Sequence, residues 1–251
     1  MRYAILSDIH SNLEALTAVL DALTGECVDR VVCLGDLVGY GADPTACLDR
    51  LEAAGAISVC GNHDWACIGK CELGWFNDAA RAAVLWTRDQ LGFAHLDWLR
   101  RLPLVAIEEP LTLVHSTLTH PERFEYLIDL AQALDTAKAC RTLYCLVGHT
   151  HIPCVLEADR PRGQLTRIVT ESDELSDVAL ESDETRFRSI INPGSVGQPR
   201  DGDPRASFAI LDTKTARVSI RRVAYNISVA QEKIRQAGLP RFLADRLAIG
   251  R

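Results

Sequence analysis

The chain has 251 residues, of which 47% are hydrophobic and 24% charged, and a formal net charge of -7. That length carries a sizeable core, while the acidic balance argues against a broad nucleic-acid-binding face, which needs a basic surface. No apolar run approaches the roughly 18 residues that span a bilayer, and no basic region followed by an apolar stretch opens the chain, so neither a membrane segment nor a secretory signal is expected.

Tyr3 to Leu6 is a short apolar run of the kind that forms a buried strand, and it ends on Ser7-Asp8-Ile9-His10. A helix is expected next: Ser11 and Glu14 have capping-box spacing, and Leu13, Leu16, Leu20 and Leu23 form one apolar stripe. Val31 to Leu34 is a second strand and runs into Gly35-Asp36. Asp43-Pro44 opens a second helix, with Asp as cap and Pro in the first turn. Ile57 to Cys60 is a third strand and runs into Gly61-Asn62-His63-Asp64. The first third therefore reads as βαβαβ, the pattern of a parallel sheet.

Residues 64–102 read as a helical layer that holds all four tryptophans, Trp65, Trp75, Trp86 and Trp98. Asn77 can cap a helix from about Asp78 to Leu91; Trp86 and Trp98 read as core, and Trp75 and Phe76 are candidates for a pocket wall. Strand patterns follow at 104–108, 111–115, 143–147, 152–157, 165–169, 187–191, 206–212 and 217–223. The run from Leu111 ends on His115, and the run from Leu143 ends on Gly148-His149-Thr150-His151. The acidic stretch 170–185 reads as a solvated excursion at an edge hairpin, without chemistry. Ser228 caps a late helix that Gly238 and Pro240 break, and a short helix ends the chain. No linker is evident, so a single domain over 1–251 is expected, with the layer 64–102 near the site.

The nine cysteines are an odd number in a core-rich chain and do not form a disulfide framework. Cys33, Cys60 and Cys145 sit inside apolar runs, as buried thiols of a reduced, cytoplasmic protein would. Cys67 and Cys71 can meet on one helix face, but no second pair completes a zinc site.

Five apolar runs thus end on residues that bind metal. In an open α/β sheet, ligands bind beyond the carboxyl ends of the strands. Asp8, His10, Asp36, Asn62, His63, His115, His149 and His151 are therefore expected along one sheet edge, where carboxylate, amide and imidazole can hold two divalent cations side by side. Each motif alone is weak; their joint occurrence, with five of seven histidines in these runs, is not. His95 and His120 read as structural or surface residues.

The order of pieces, Asp8-x-His10, Gly35-Asp36, Gly61-Asn62-His63-Asp64, His115 and Gly148-His149-Thr150-His151, resembles the calcineurin-like metallophosphoesterases. Asn192 to Arg200 and the ending Gly238 to Leu247 resemble the compact bacterial and archaeal phosphodiesterase branch of that superfamily. The resemblance implies an α/β fold, a four-layer αββα sandwich of two mixed β-sheets. It implies a hydrolase of small, nucleotide-like phosphodiesters or phosphomonoesters that uses two divalent metal ions, Mn²⁺ first, with Fe, Zn, Ni or Co as alternatives. One ion would take Asp8, His10, Asp36 and His151, the other Asp36, Asn62, His115 and His149, with Asp36 bridging through its two oxygens. A water bridging the two ions would attack phosphorus in line. His63 would protonate the leaving oxygen or stabilise the transition state. Asp64 either orients His63 or caps the next helix. Arg200 either forks onto a phosphate oxygen or rests in a surface ion pair.

Two departures stand out. Where protein phosphatases of the superfamily have an Asp-Arg pair after the Gly-Asp block, this chain has Gly39-Tyr40, which leaves the orienter of His63 open; Tyr40 can stack on a base or simply pack. Ser116 follows His115 where glycine is common. A non-catalytic scaffold of the same fold is the competing reading, and the filled ligand and His63 positions argue against it. No membrane partner is expected, and the oligomeric state is not legible.

Overall fold

The computed structural model describes residues 1–170 and 175–251. Strand alternation sets the layers. In β1 (Arg2–Leu6), Tyr3 and Ile5 face one way, and Ala4 and Leu6 the other, as the period of two dictates. Tyr3 and Ile5 enter a core shared by two sheets, where they meet Leu111, Leu113, Leu146 and Ile191. Ala4 and Leu6 lie under helices, against Leu16, Val19, Leu48 and Ile234.

The chain alternates β1, α1 (Leu13–Leu23), β2 (Arg30–Cys33), α2 (Pro44–Ala53) and β3 (Ile57–Ser58). Then come α3 (Asn62–Cys67), α4 (Asp78–Gln90) and α5 (Phe93–Arg101), the helical layer expected there. The strands β4 (Val105–Glu108) and β5 (Leu111–Val114), helix α6 (Leu130–Ala139), and β6 (Tyr144–Leu146), β7 (Cys154–Asp159) and β8 (Gln164–Val169) follow. The chain closes with β9 (Val178–Ala179), β10 (Phe187–Asn192), β11 (Ala206–Asp212), β12 (Arg217–Val223), α7 (Ile227–Gln236) and α8 (Arg241–Asp245).

Sheet one has the order β3-β2-β1-β11-β12-β9, and sheet two β4-β5-β6-β10-β7-β8. Within sheet one, β1, β2 and β3 are parallel, and β11 is antiparallel to β1. Within sheet two, β5 and β10 flank β6 in parallel. Helix α6 covers the outer face of sheet two, with Ala133 and Ala137 against Cys145, Leu156 and Ile190. Most remaining helices cover sheet one, and the result is the four-layer αββα sandwich with two mixed sheets.

Local details differ from expectation. Asn12, not Ser11, caps α1, accepting from the Ala15 amide at 3.1 Å. Asn226, not Ser228, caps α7, accepting from the Val229 amide at 3.3 Å. Asn accepts as well as Ser at this position, and the pattern was displaced by one or two residues. Cys67 ends α3 and Cys71 lies beyond it, so the two do not share a helix face. Trp86 and Trp98 are half-buried against the core of sheet one.

The stretch 170–185 is not merely solvated. Leu175, Val178 and Leu180 are buried between the sheets, and β9 pairs with β12 as the edge of sheet one. The alternating acids masked these apolar anchors; Glu171, Asp173 and Glu174 lie outside the described residues.

Candidate metal centre

The segments after β1, β2, β3, β5 and β6 meet at one end of the sandwich, together with the loop that leaves β10. These strand ends come from two facing sheets rather than one sheet edge. The connecting backbone is drawn tight. The amide of Asp8 donates to Gly35, that of His10 to Asp36, and that of Gly148 to His115, at 3.0, 3.0 and 2.9 Å. Asp8, His10, Asp36, His149 and His151 all have left-handed φ, between 49° and 66°. Non-glycine residues in that region cost on the order of 1–3 kcal/mol each and persist where the surroundings over-determine them. Here the strain is concentrated on the candidate ligands.

Three donor groups face inward. Asp8, His10 and His151 form one cluster; Asp36, His115 and His149 form another; Asp36 also meets His10 and His63. His151 Nε2 is 3.2 Å from Asp8 Oδ1 and from His10 Nε2. His115 Nε2 is 3.0 Å from His149 Nδ1 and 3.3 Å from Asn62 Oδ1. Donors held about 2.0–2.1 Å from a shared ion, at octahedral or tetrahedral angles, stand about 2.8–3.4 Å apart. These four spacings fall in this range, while His10 Nε2 stands 3.9 Å from Asp8 Oδ1. Asp8 Oδ1 is buried and has no hydrogen-bond partner among the described residues, so its lone pairs are open to a cation. The donor set therefore fits divalent metal. Asp36 Oδ2 lies 3.6 Å from His10 Nε2 and 3.4 Å from His115 Nε2, while Oδ1 accepts from the His63 amide at 2.9 Å. A single oxygen, not two, faces both clusters.

Backbone carbonyls fix the ring orientations. The Nδ1 atoms of His10, His115 and His151 contact the carbonyls of Val38, Leu34 and Gln198 at 3.1, 2.7 and 2.5 Å. A proton on each Nδ1 leaves the Nε2 lone pair for a metal. Burial disfavours charge on His10, His63, His149 and His151, lowering His63 to about 4 and His149 to about 3. Burial opposes ionisation of Asp8 and Asp36, but His151 beside the first and His115 beside the second outweigh it, and both carboxyls fall below their ordinary range. Burial likewise opposes charge on His115, yet Asp36 raises it to about 9. Neutral imidazoles and ionised carboxylates are the forms that bind metal, and a cation would displace the His115 proton.

The His63 ring is held by packing rather than by a carboxylate hydrogen bond. It meets Tyr40, His10 and Phe76 at centroid distances of 4.4, 4.8 and 5.0 Å. Gly39 closes the remaining side: a Cβ there would lie 2.5 Å from His63 Nδ1. Asp64 is engaged elsewhere. Its Oδ1 accepts from the amides of Leu37 and Val38, and its Oδ2 from that of Gly61, at 3.0, 3.2 and 2.9 Å. It thereby caps α3 and ties the loop after β2. Burial and the neighbouring Asp36 raise its pKa to about 7.

The loop after β10 braces the first cluster. Val196 and Gly197 donate their amides to Ser7 and Asp8, and Ser195 Oγ donates to the Asp8 carbonyl at 2.8 Å. Gly197 allows the closest approach, since a Cβ there would lie 1.8 Å from the Ile9 carbonyl oxygen. Arg200 follows. It has no carboxylate within ion-pair distance among the described residues, its Nε is buried without a partner, and its Nη2 donates to Gln198 at 3.0 Å. The surface-ion-pair reading of Arg200 is therefore set aside. Tyr40 is nearly buried between His10 and His63, with the Arg200 guanidinium 5.9 Å from its ring centroid.

A cavity of about 210 Å³ opens onto Asp36, Asn62, His63, His149 and His151. Tyr40, Trp75, Phe76, Phe124, Tyr126, Arg123 and Arg200 line it as well. Arg123, Phe124 and Tyr126 belong to a loop with no motif, and sequence reading passed over them. Their only signal was aromatic residues in a polar stretch. His95 pairs with Asp49 and His120 with Glu122 on the surface, away from the cluster, as expected.

The chain matches the calcineurin-like phosphoesterase superfamily domain over residues 1–216, and it belongs to that family. Within it, the chain is 40% identical over 252 residues to the protein MJ0912 of Methanocaldococcus jannaschii, covering 99% of this chain and 98% of that one. The crystal structure of a metallophosphoesterase from Sphaerobacter thermophilus superposes with a TM-score of 0.84 at 43% identity, over 100% of this chain and 99% of that one. The hypothetical protein PH1004 of Pyrococcus horikoshii shares the fold, with a TM-score of 0.76 at 20% identity over 100% and 98% of the two chains. Family and donor set together make this chain a metal-dependent phosphoesterase.

Proposed function

We propose that the centre is dinuclear and hydrolyses small, nucleotide-like phosphodiesters or phosphomonoesters. The observation that carries this reading is Asp36 Oδ2, which faces His10 of one donor cluster and His115 of the other. One ion takes Asp8, His10, Asp36 and His151; the second takes Asp36, Asn62, His115 and His149. Bound there, two divalent ions supply an acidified water and positive charge for the phosphoryl oxygens. The mixed nitrogen and oxygen donors suit Mn²⁺ first, with Fe, Zn, Ni and Co as alternatives.

The chain's own residues do the rest. Asn62 ligates without adding negative charge that would repel a phosphate. His63 lines the cavity beside His10 and Asp36; its Nδ1 is buried against Gly39, so Nε2 is the nitrogen left to serve the leaving oxygen. Arg200, with no carboxylate partner among the described residues, contacts a phosphate oxygen by charge-assisted hydrogen bonds. Tyr40 packs against both His10 and His63 and supports Arg200. Asp64 acts on the loop that carries Asp36. The aromatic lining favours a planar, base-like group. Nine unpaired thiols suit a reducing cytoplasm, and we take 1–251 as one domain.

The test is hydrolysis of a chromogenic bis-aryl phosphate with added Mn²⁺. Turnover by the wild type, lost in Asp36→Ala, supports the reading. No turnover with Mn²⁺, Fe²⁺, Zn²⁺, Ni²⁺ or Co²⁺ refutes it and favours the scaffold.

A further inference from the structure

Three of the four candidate ligand histidines are locked by a backbone carbonyl at Nδ1 and present Nε2 to the centre. His149 is reversed. Its Nδ1 faces the centre, 3.0 Å from His115 Nε2, and its Nε2 has no hydrogen-bond partner among the described residues. The ring therefore lacks the outer anchor that normally fixes a ligand imidazole. What it has instead is Tyr126, whose ring lies on it face to face, with centroids 4.0 Å apart and planes 17° from parallel.

Tyr126 is itself held in place by its loop. Phe124, two residues earlier, has a left-handed backbone (φ 50°) and is buried. Its ring stands edge-on to Trp65 of α3 at 5.3 Å and to His115 at 5.9 Å. One loop thus touches both imidazoles of the second ligand set. Neither His10 nor His151 of the first set makes a ring contact with it.

We propose that Tyr126 is a positioning residue for His149, and that the 124–126 loop selectively tightens the second metal position. This rests on the two-ion reading above. A stacked aromatic pair of this kind corresponds to roughly a two- to tenfold change in an equilibrium constant. Tyr126 is 44% exposed, so its removal leaves the core intact.

The experiment is calorimetric titration of chelator-treated protein with Mn²⁺, comparing wild type with Tyr126→Phe, Tyr126→Leu and Tyr126→Ala. The expected result is two ions on the wild type and on Tyr126→Phe with equal affinities. Tyr126→Leu and Tyr126→Ala should keep the first affinity and weaken the second by about tenfold. Wild-type affinities in Tyr126→Ala overturn the inference while leaving the two-ion reading in place. Wild-type affinities in Tyr126→Leu with loss in Tyr126→Ala overturn the stacking and leave only bulk. A wild type that binds one ion overturns the two-ion reading and this inference with it.

Discussion

His63, the proposed acid, has a ring held by packing, with no carboxylate among the described residues hydrogen-bonded to either ring nitrogen. Its ring is wedged by Tyr40, Phe76 and His10, and Gly39 presses on Nδ1. His63→Ala should lower kcat by about 10²–10⁴ while metal content, measured by atomic absorption, stays at the wild-type value. A matching loss of metal would make His63 a ligand instead. Gly39→Ala tests the packing. The new Cβ would meet Nδ1 at 2.5 Å, on a backbone at φ +93° that alanine resists. A displacement of about 1 Å at the reacting group can cost on the order of 10²-fold, so kcat should fall by that order. Unchanged turnover in Gly39→Ala would mean that the aromatic wedge alone suffices.

Among the elements, the short edge strand β9 is where the acidic sequence concealed a structural part. Val178 is fully buried between the sheets. Val178→Ala removes two buried carbons at about 0.8 kcal/mol each and leaves a small cavity, so unfolding should cost about 2 kcal/mol less. Urea denaturation reads this directly; a change within about 0.5 kcal/mol would return the stretch to the solvated hairpin that its charges suggest. The contrast with the strands is instructive. The clustering of Asp8, Asp36, Asn62, His115 and His149 was legible because each candidate ligand stands just beyond a strand that is itself an apolar run, so adjacency in space follows from adjacency in sequence. The caps Asn12 and Asn226 were missed because several neighbouring polar residues can cap equally well. Phe124 and Tyr126 were missed because contact across a fold leaves no periodic mark, and the carbonyl locks on His10, His115 and His151 were missed because every residue type has a carbonyl.

At the scale of the whole molecule, the centre couples the two sheets. Asp8, His10, Asp36 and Asn62 hang from sheet one, and His115, His149 and His151 from sheet two. Ions that bind only the folded chain add about 2.7 kcal/mol each at a hundredfold excess over Kd. Two such ions should raise Tm by on the order of 10 °C. Scanning calorimetry with and without chelator checks this, and a Tm indifferent to chelator would detach metal from stability. A further consequence follows from the same placement. Five donor residues are kept in unfavourable backbone torsions at the seam, so withdrawing the cations releases a sprung clasp. Proteolytic nicks and amide exchange should then begin at that rim and spread along both sheets together, while the opposite rim opens last.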